Sequence, residues 1–173
     1  MRGRRLAPAL LIAITIAPHP ARAQDTWAVG VTGAAGVPPF KAGVRVSTPL
    51  GRKTDLDVEV ARVAPKDQPE LGPAVTGDIR WMRNGRRPSG DSRYWIFGVM
   101  FVNATWSTPV VYPGHVTFLE ERRTLVVPRI GYGWDHVSRL GPRAGFEIST
   151  GSGGEQELFF FANVFVMWGP PRK

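Results

Sequence analysis

Side-chain character that alternates with a period of two, recurring from residue 27 to 168, predicts an all-β chain. The expected fold is a single up-and-down antiparallel meander of eight strands closed into a barrel. Three observations carry this. Residues 139–148 read Arg-Leu-Gly-Pro-Arg-Ala-Gly-Phe-Glu-Ile, with Leu140, Pro142, Ala144, Phe146 and Ile148 on one parity and Arg139, Gly141, Arg143, Gly145 and Glu147 on the other. Successive side chains of a strand point to opposite faces, so this segment has one apolar face and one charged or glycine face. Similar segments recur along the chain and none shows a helical period. The chain also holds no cysteine, so disulfides and thiolate metal sites are excluded and stability rests on packing and a closed hydrogen-bond ladder.

Residues 1–23 stand apart from this pattern. Arg2, Arg4 and Arg5 make a basic head, 6–16 an apolar stretch and Ala21-Arg22-Ala23 a small-residue exit, the layout of a secretory signal peptide cleaved before Gln24. Pro8, Pro18, His19 and Pro20 leave too few apolar residues for a membrane-spanning helix. Removing 23 of the 173 residues leaves 150, one domain over 24–173. Arg2, Arg4, Arg5 and Arg22 leave with the segment, so the formal charge of +8 falls to +4. A mildly basic exported product with no nucleic-acid motif excludes nucleic acid as a partner.

The eight segments follow in order. The first, 27–37, sets Val29 and Val31 against Gly30, Thr32 and Ala34, and the second, 41–50, sets Val44, Val46 and Thr48 against Gly43, Arg45 and Ser47. The third, 54–64, opposes Leu56, Val58 and Val60 to Asp55, Asp57 and Glu59. In the fourth, 74–83, Val75, Gly77, Ile79 and Trp81 oppose Thr76, Asp78 and Arg80. The fifth, 93–106, is apolar on both faces; the sixth ends in 129–135; the seventh is 139–148; the eighth, 157–168, is rich in Phe and Val. Turn formers fill most of the connections at 36–40, 49–53, 65–73, 84–92, 107–123, 136–139 and 150–156. Pro128 would remove a ladder hydrogen bond, which calls for a bulge or a strand that starts there.

Alternation does not say which face meets water, but three features turn the charged parity inward. It holds Asp55, Asp57, Glu59, Asp78, Asp135 and Glu147 against Arg45, Arg80, Arg129, Arg139 and Arg143, a near balance that suits a confined lumen where an unpaired charge is costly. It is padded with Gly30, Ala34, Gly43, Gly131, Gly133, Gly141 and Gly145, which leave room for long side chains in a narrow eight-stranded interior. Trp27, Trp81, Tyr132, Trp134 and Trp168 sit on the apolar parity near segment ends, where an aromatic girdle at membrane interfaces would form. Segments of about ten residues are long enough to cross a bilayer when tilted. The inverted arrangement, a soluble periplasmic barrel with Phe159, Phe161 and Phe165 lining a ligand cavity, stays open. It turns on whether Leu56, Val58, Phe146 and Ile148 lie outside or inside.

The strand 129–135, the turn His136-Val137-Ser138 and the returning segment 139–147 resemble the small eight-stranded outer-membrane β-barrels of Gram-negative bacteria, the OmpA-like and OmpX-like superfamily. The resemblance covers the whole mature chain as a pattern. It implies a monomeric barrel in the bacterial outer membrane among outer-membrane lipids and lipopolysaccharide, inserted by the outer-membrane assembly machinery, with no cofactor. Both termini would face the periplasm and 36–40, 65–73, 107–123 and 150–156 would be outer loops.

Candidate chemistry is sparse. His136, Ser138 and Glu147 are similar to the His-x-Ser pair and Glu of an outer-membrane lipid A deacylase family, in which imidazole would activate a hydroxyl and a carboxylate orient the ring. Here the pair falls in a turn and Glu147 on the lumen parity, so the expectation is turn residues plus a salt-bridge partner, with a lipid A-modifying enzyme as the alternative. Asp55, Asp57 and Glu59 offer oxygen ligands for Ca²⁺, but pairing with Arg80 and other arginines is the expectation, and no metal site is assigned. The lumen network is expected to comprise Asp55, Asp57, Glu59, Asp78, Arg80, Arg129, Arg143 and Glu147. Glu120, Glu121, Arg122 and Arg123 read as a solvated cluster, and Arg83, Arg86 and Arg87 as a basic turn suited to anionic lipid heads. The function expected is non-enzymatic, structural or surface-interacting, in the cell envelope. Intact mass of the exported protein should show an N-terminus at Gln24; retention of residues 1–23 would overturn the signal peptide.

Overall fold

A computed structural model describes residues 27–37, 40–63, 70–85, 87, 89–138, 142–153 and 158–169. The signal segment, Arg86, Arg139, Leu140 and Gly141 fall outside them. Eight strands follow the chain: β1 Ala28–Val37, β2 Phe40–Pro49, β3 Thr54–Val63, β4 Glu70–Met82, β5 Gly90–Tyr112, β6 His115–Val137, β7 Arg143–Ser152 and β8 Leu158–Trp168. Each pairs antiparallel with its chain neighbour, and β1 pairs with β8, so the sheet closes. One end carries the start of β1, the end of β8 and the connections after β2, β4 and β6, here the turn end; the other is the loop end.

The charged parity points in. Phe146 and Ile148 are exposed on the outside, Leu56 and Val58 share that face half-buried, while Asp55, Asp57, Glu59 and Glu147 are buried inside. That arrangement is the reverse of the inverted barrel. Phe159, Phe161 and Phe165 nonetheless point inward beside the charges, because β8 presents Leu158, Phe160, Val164, Val166 and Trp168 outward on its other parity. Strands β5 and β8 are apolar on both faces for the same reason: one face meets the surroundings and the other fills the interior.

Four expectations need correction. The connection at 107–123 is instead ordered ladder: β5 and β6 continue as a two-stranded ribbon to Tyr112↔His115. Its turn is Pro113-Gly114, where Pro presets φ and Gly114 adopts φ of +87°. The β4 strand begins at Glu70, four residues early, through an irregularity between Leu71 and Ala74. The β6 strand extends to Val137, so His136 and Val137 belong to a strand, and β7 is described only from Arg143.

Pro128 sits inside β6 opposite Val99 with no break in register. Its carbonyl faces the β7 side, where a Cβ on Gly151 would approach it to 2.4 Å, and β6–β7 pairing reaches only to Arg129↔Gly151. Backbone N and O of one strand residue point the same way, so the missing N–H lies where the ladder has already ended.

The fourth correction is to the lumen, which is not charged throughout. Its loop-end half is an apolar plug of Ala34, Val63, Leu71, Ala74, Met100, Val102, Ala104, Val127, Phe159 and Phe161, backed by Trp106 and Leu125. Val102→Ala removes two methyl-sized groups from a side chain with no exposure and should lower stability by about 1–3 kcal/mol. Equilibrium urea unfolding measures it, and no loss would mean the plug is not tightly packed.

Candidate functional site

The polar constellation fills the lumen from the turn end to the edge of the plug, where Lys41 pairs in register with Ala34 and Val63. Buried inside are Lys41, Arg45, Arg80, Arg129 and Arg143 against Asp55, Asp57, Glu59, Asp78, Asp135 and Glu147, five cations and six carboxylates among the described residues. Alternation on each strand delivers them to one face, and closure then brings non-neighbouring strands together.

Most form one chain of alternating sign. Lys41 Nζ lies 2.6 Å from Glu59 Oε1, and Glu59 Oε2 accepts from Arg45 Nε and Nη2 at 3.2 and 2.9 Å. Arg45 grips Glu147 bidentately, Nη1 to Oε1 and Nη2 to Oε2, both at 2.8 Å. Arg80 Nη2 approaches Glu147 Oε1 at 2.9 Å, and the Tyr94 hydroxyl donates to the same oxygen at 3.0 Å. Arg80 Nε pairs with Asp57, and Arg143 Nε and Nη2 both pair with Asp135. Weaker contacts continue the chain, Arg80 to Asp135 at 4.0 Å and Arg143 to Asp55 at 3.6 Å. Two fully or almost fully buried arginines sharing one carboxylate satisfy charges that would each be costly alone.

Aromatic rings complete the set. Phe165 lies under three guanidiniums, with Arg45, Arg80 and Arg143 at 5.1, 4.9 and 5.9 Å from its centroid, and Arg80 also lies over Tyr94 at 4.8 Å. The ring faces give the buried cations an attractive surface where no carboxylate fits.

Arg129 and Asp78 form a second pair at 3.5 Å across β5, and Arg129 donates to Ser149 Oγ at 2.9 Å. Two glycines open these routes. A Cβ on Gly98 would lie 2.0 Å from Asp78 Oδ1, and one on Gly133 2.4–2.7 Å from the Tyr94 ring.

All eight residues expected in the network therefore lie in the lumen with ion-pair partners. Sequence reading did not assign Lys41 or Tyr94 to it. The parity of Arg45 could have found Lys41, four residues earlier. Tyr94 lay in a segment read as apolar on both faces, and only its hydroxyl marked it. The Asp55–Asp57–Glu59 run holds arginines and a lysine, and among the described residues no group of acids and histidines has metal-binding geometry.

His136, Ser138 and Glu147 do not come together. His136 is exposed on the outer face with Nδ1 2.8 Å from Asp91 Oδ1, whereas Glu147 is buried inside. In register His136 faces Ala144, three residues from Glu147 along β7 and on the opposite face.

The Trp and Tyr residues of the barrel's outer face gather toward one end. Trp27, Trp81, Tyr132, Trp134 and Trp168 are all exposed outward, and all lie toward the turn end. Trp95 joins them, paired in register with Trp81 and Tyr132 and edge-on to the Tyr132 ring at 5.3 Å. The result is a single belt.

No family model matches the sequence, and no curated protein matches it. Solved structures match by shape. The N-terminal β-barrel domain of Pseudomonas aeruginosa OprF superposes with a TM-score of 0.64 at 14% identity, covering 84% of this chain and 98% of that one. Neisserial surface protein A (NspA) superposes with 0.55 at 8% identity, covering 83% and 95%. These likenesses show the fold.

Glu147→Ala takes from buried Arg45 and Arg80 the carboxylate they share, leaving Arg45 with Glu59 and Arg80 with Asp57, and should cost about 3 kcal/mol in urea unfolding. Arg45→Met combined with Glu147→Leu should cost less than the two single changes summed, because the pair leaves together. Additive losses would show that the two residues are not coupled.

Proposed function

We propose that the chain is a bacterial outer-membrane β-barrel, exported by residues 1–23, with a side-chain-filled lumen and a non-enzymatic structural or surface-interaction role in the envelope. The observation that carries this is the outer surface: around a closed sheet whose charges are inside, the exposed face is Val, Ile, Phe and Trp. Water would not tolerate so continuous an apolar face on a monomer, while hydrocarbon requires it together with a sheet that has no open edge. The eleven residues of β8, at about 3.3 Å each and tilted near 40°, rise about 28 Å, enough to cover the apolar band of about 25 Å in such barrels. The belt of Trp and Tyr supplies the anchors of one interface.

A lumen plugged by Phe159, Phe161, Met100 and Val102 at one end and by paired ions at the other supports no wide pore. The work is then done on the outside, by lipid-facing aromatics and by the β5–β6 ribbon, which holds Val111, Tyr112, Val116, Phe118 and Leu119 exposed beyond the barrel. Outer-membrane lipids and lipopolysaccharide are the surroundings this surface fits, with insertion as a monomer by the assembly machinery.

Fractionation should place the protein in the outer membrane, and the unboiled protein should migrate differently from the boiled one on a detergent gel. In planar bilayers it should give no porin-sized conductance. Recovery in the soluble periplasm would overturn the membrane reading; a large steady conductance would overturn the filled lumen.

A further inference from the structure

The two rims of the barrel differ in a way the envelope role does not use. At the turn end a cleft of about 580 Å³ opens beside the β4–β5 connection, and its lining is of two kinds. It includes the arginines Arg83, Arg87 and Arg93 with Asn84 and Ser92, and the aromatic residues Tyr94, Trp95 and Tyr132. The carboxylate in the lining, Asp91, is engaged by His136 at 2.8 Å. Arg52 and Lys53, in the neighbouring connection, add exposed positive charge to the same end.

Position matters as much as composition. Trp81, Trp95 and Tyr132 are consecutive in register across β4, β5 and β6, and Arg93 pairs in register with Trp134. The arginines of the cleft thus begin where the aromatic belt ends, on one sector of the wall. An aromatic belt marks headgroup depth, and cations just beyond it face the phosphates of that leaflet. An exposed guanidinium fork donates two hydrogen bonds to phosphate oxygens, and the rings beside it flank the glycerol and upper acyl region.

We propose that this cleft binds the phosphate headgroup of an anionic glycerophospholipid in the leaflet that meets the turn end. The proposal rests on the membrane reading above and deepens it by naming a site and a lipid class. A headgroup explains why arginines and lipid-facing rings line one cavity, because a phospholipid joins an anion to an apolar tail at that depth. A soluble anion has no use for Trp95 and Tyr132.

The test is native mass spectrometry of the exported protein from bilayers of equimolar phosphatidylglycerol and phosphatidylcholine, with heat-dependent gel migration reporting the fold of every variant. Wild type should retain phosphatidylglycerol in preference to phosphatidylcholine. Arg83→Gln, Arg87→Gln and Arg93→Gln together should weaken that retention by roughly fivefold per arginine, leaving phosphatidylcholine unchanged. The loop-end variant Arg62→Gln, Arg122→Gln, Arg123→Gln removes equal charge from a different arginine-lined groove and should change nothing. An equal loss in both triple variants would reduce the effect to net charge and overturn the site. Displacement of the lipid by millimolar inorganic phosphate would make it a phosphate site instead. A folded barrel that inserts but shows no lipid preference sinks this site alone; one that enters no bilayer sinks the membrane reading with it.

Discussion

Everything in this barrel depends on the requirement that charges placed inside a closed sheet find partners there. Glu147 on β7 answers Arg45 on β2 and Arg80 on β4, strands that are not its neighbours. Those contacts exist only when the cylinder is closed, so the network couples closure to pairing. It also pins register. A one-residue slip of any strand would turn its whole inward set to the outside. In β3 that would exchange Asp55, Asp57 and Glu59 for Leu56, Val58 and Val60, taking Glu59 from Lys41 and one carboxylate partner each from Arg80 and Arg143. The apolar plug specifies register less sharply, since one hydrophobic side chain substitutes for another more readily than an ion partner does.

The lumen is divided, and the division follows from what a narrow cylinder can hold. Paired ions fill the turn-end half because Arg and Glu are long enough to meet across it, with Phe165 serving three guanidiniums at once. Toward the loop end most inward residues are Ala, Val, Met and Phe, which need no partners, and Lys41 among them is held by Glu59 and the Phe161 ring. At the boundary lie buried polar atoms with no protein hydrogen-bond partner, including those of Asn163, Thr32 and Thr76. Asn163 pairs in register with Glu147 and Ala34, and Thr76 with Glu59 and Met100, so both border the two kinds of interior.

How much of this was legible in the sequence depends on the range of the interaction. Parity is local, so the inward set of β3, the charges of β4 and β7 and the outward aromatics could be read from ten-residue windows. Near-neutrality of the polar parity gave the direction of the faces, a global property that still needs only a tally by parity. Tyr94 escaped because its neighbours Ile96 and Trp95 made both faces look apolar, and its partner Glu147 is 53 residues away. The ribbon escaped because Ser107, Thr108 and Pro109 resemble a loop; only the pairing Trp106↔Glu121 through Tyr112↔His115 shows that they are ladder. The start of β7 was set too early because the alternation of side-chain character continues through Leu140 and Gly141, which lie outside the described residues.

These constraints bear on what the protein can do. A side chain that holds the barrel together is poorly placed for chemistry: freeing Glu147 to orient a histidine would take from Arg45 and Arg80 the carboxylate that joins them inside. His136 is correspondingly on the far side of the wall, with an exposed carboxylate of its own. Catalysis would need a reactive group that is both accessible and released from structural duty, and the lumen charges are neither. The groups that are accessible lie at the rims: the ribbon with its exposed Tyr112, Phe118 and Leu119, and the turn end with its arginines and its belt of Trp and Tyr. A barrel whose interior is committed to its own stability has only its outer surface left for recognition. The unlike chemistry of the two rims is therefore where differences of function between barrels of this shape must be encoded.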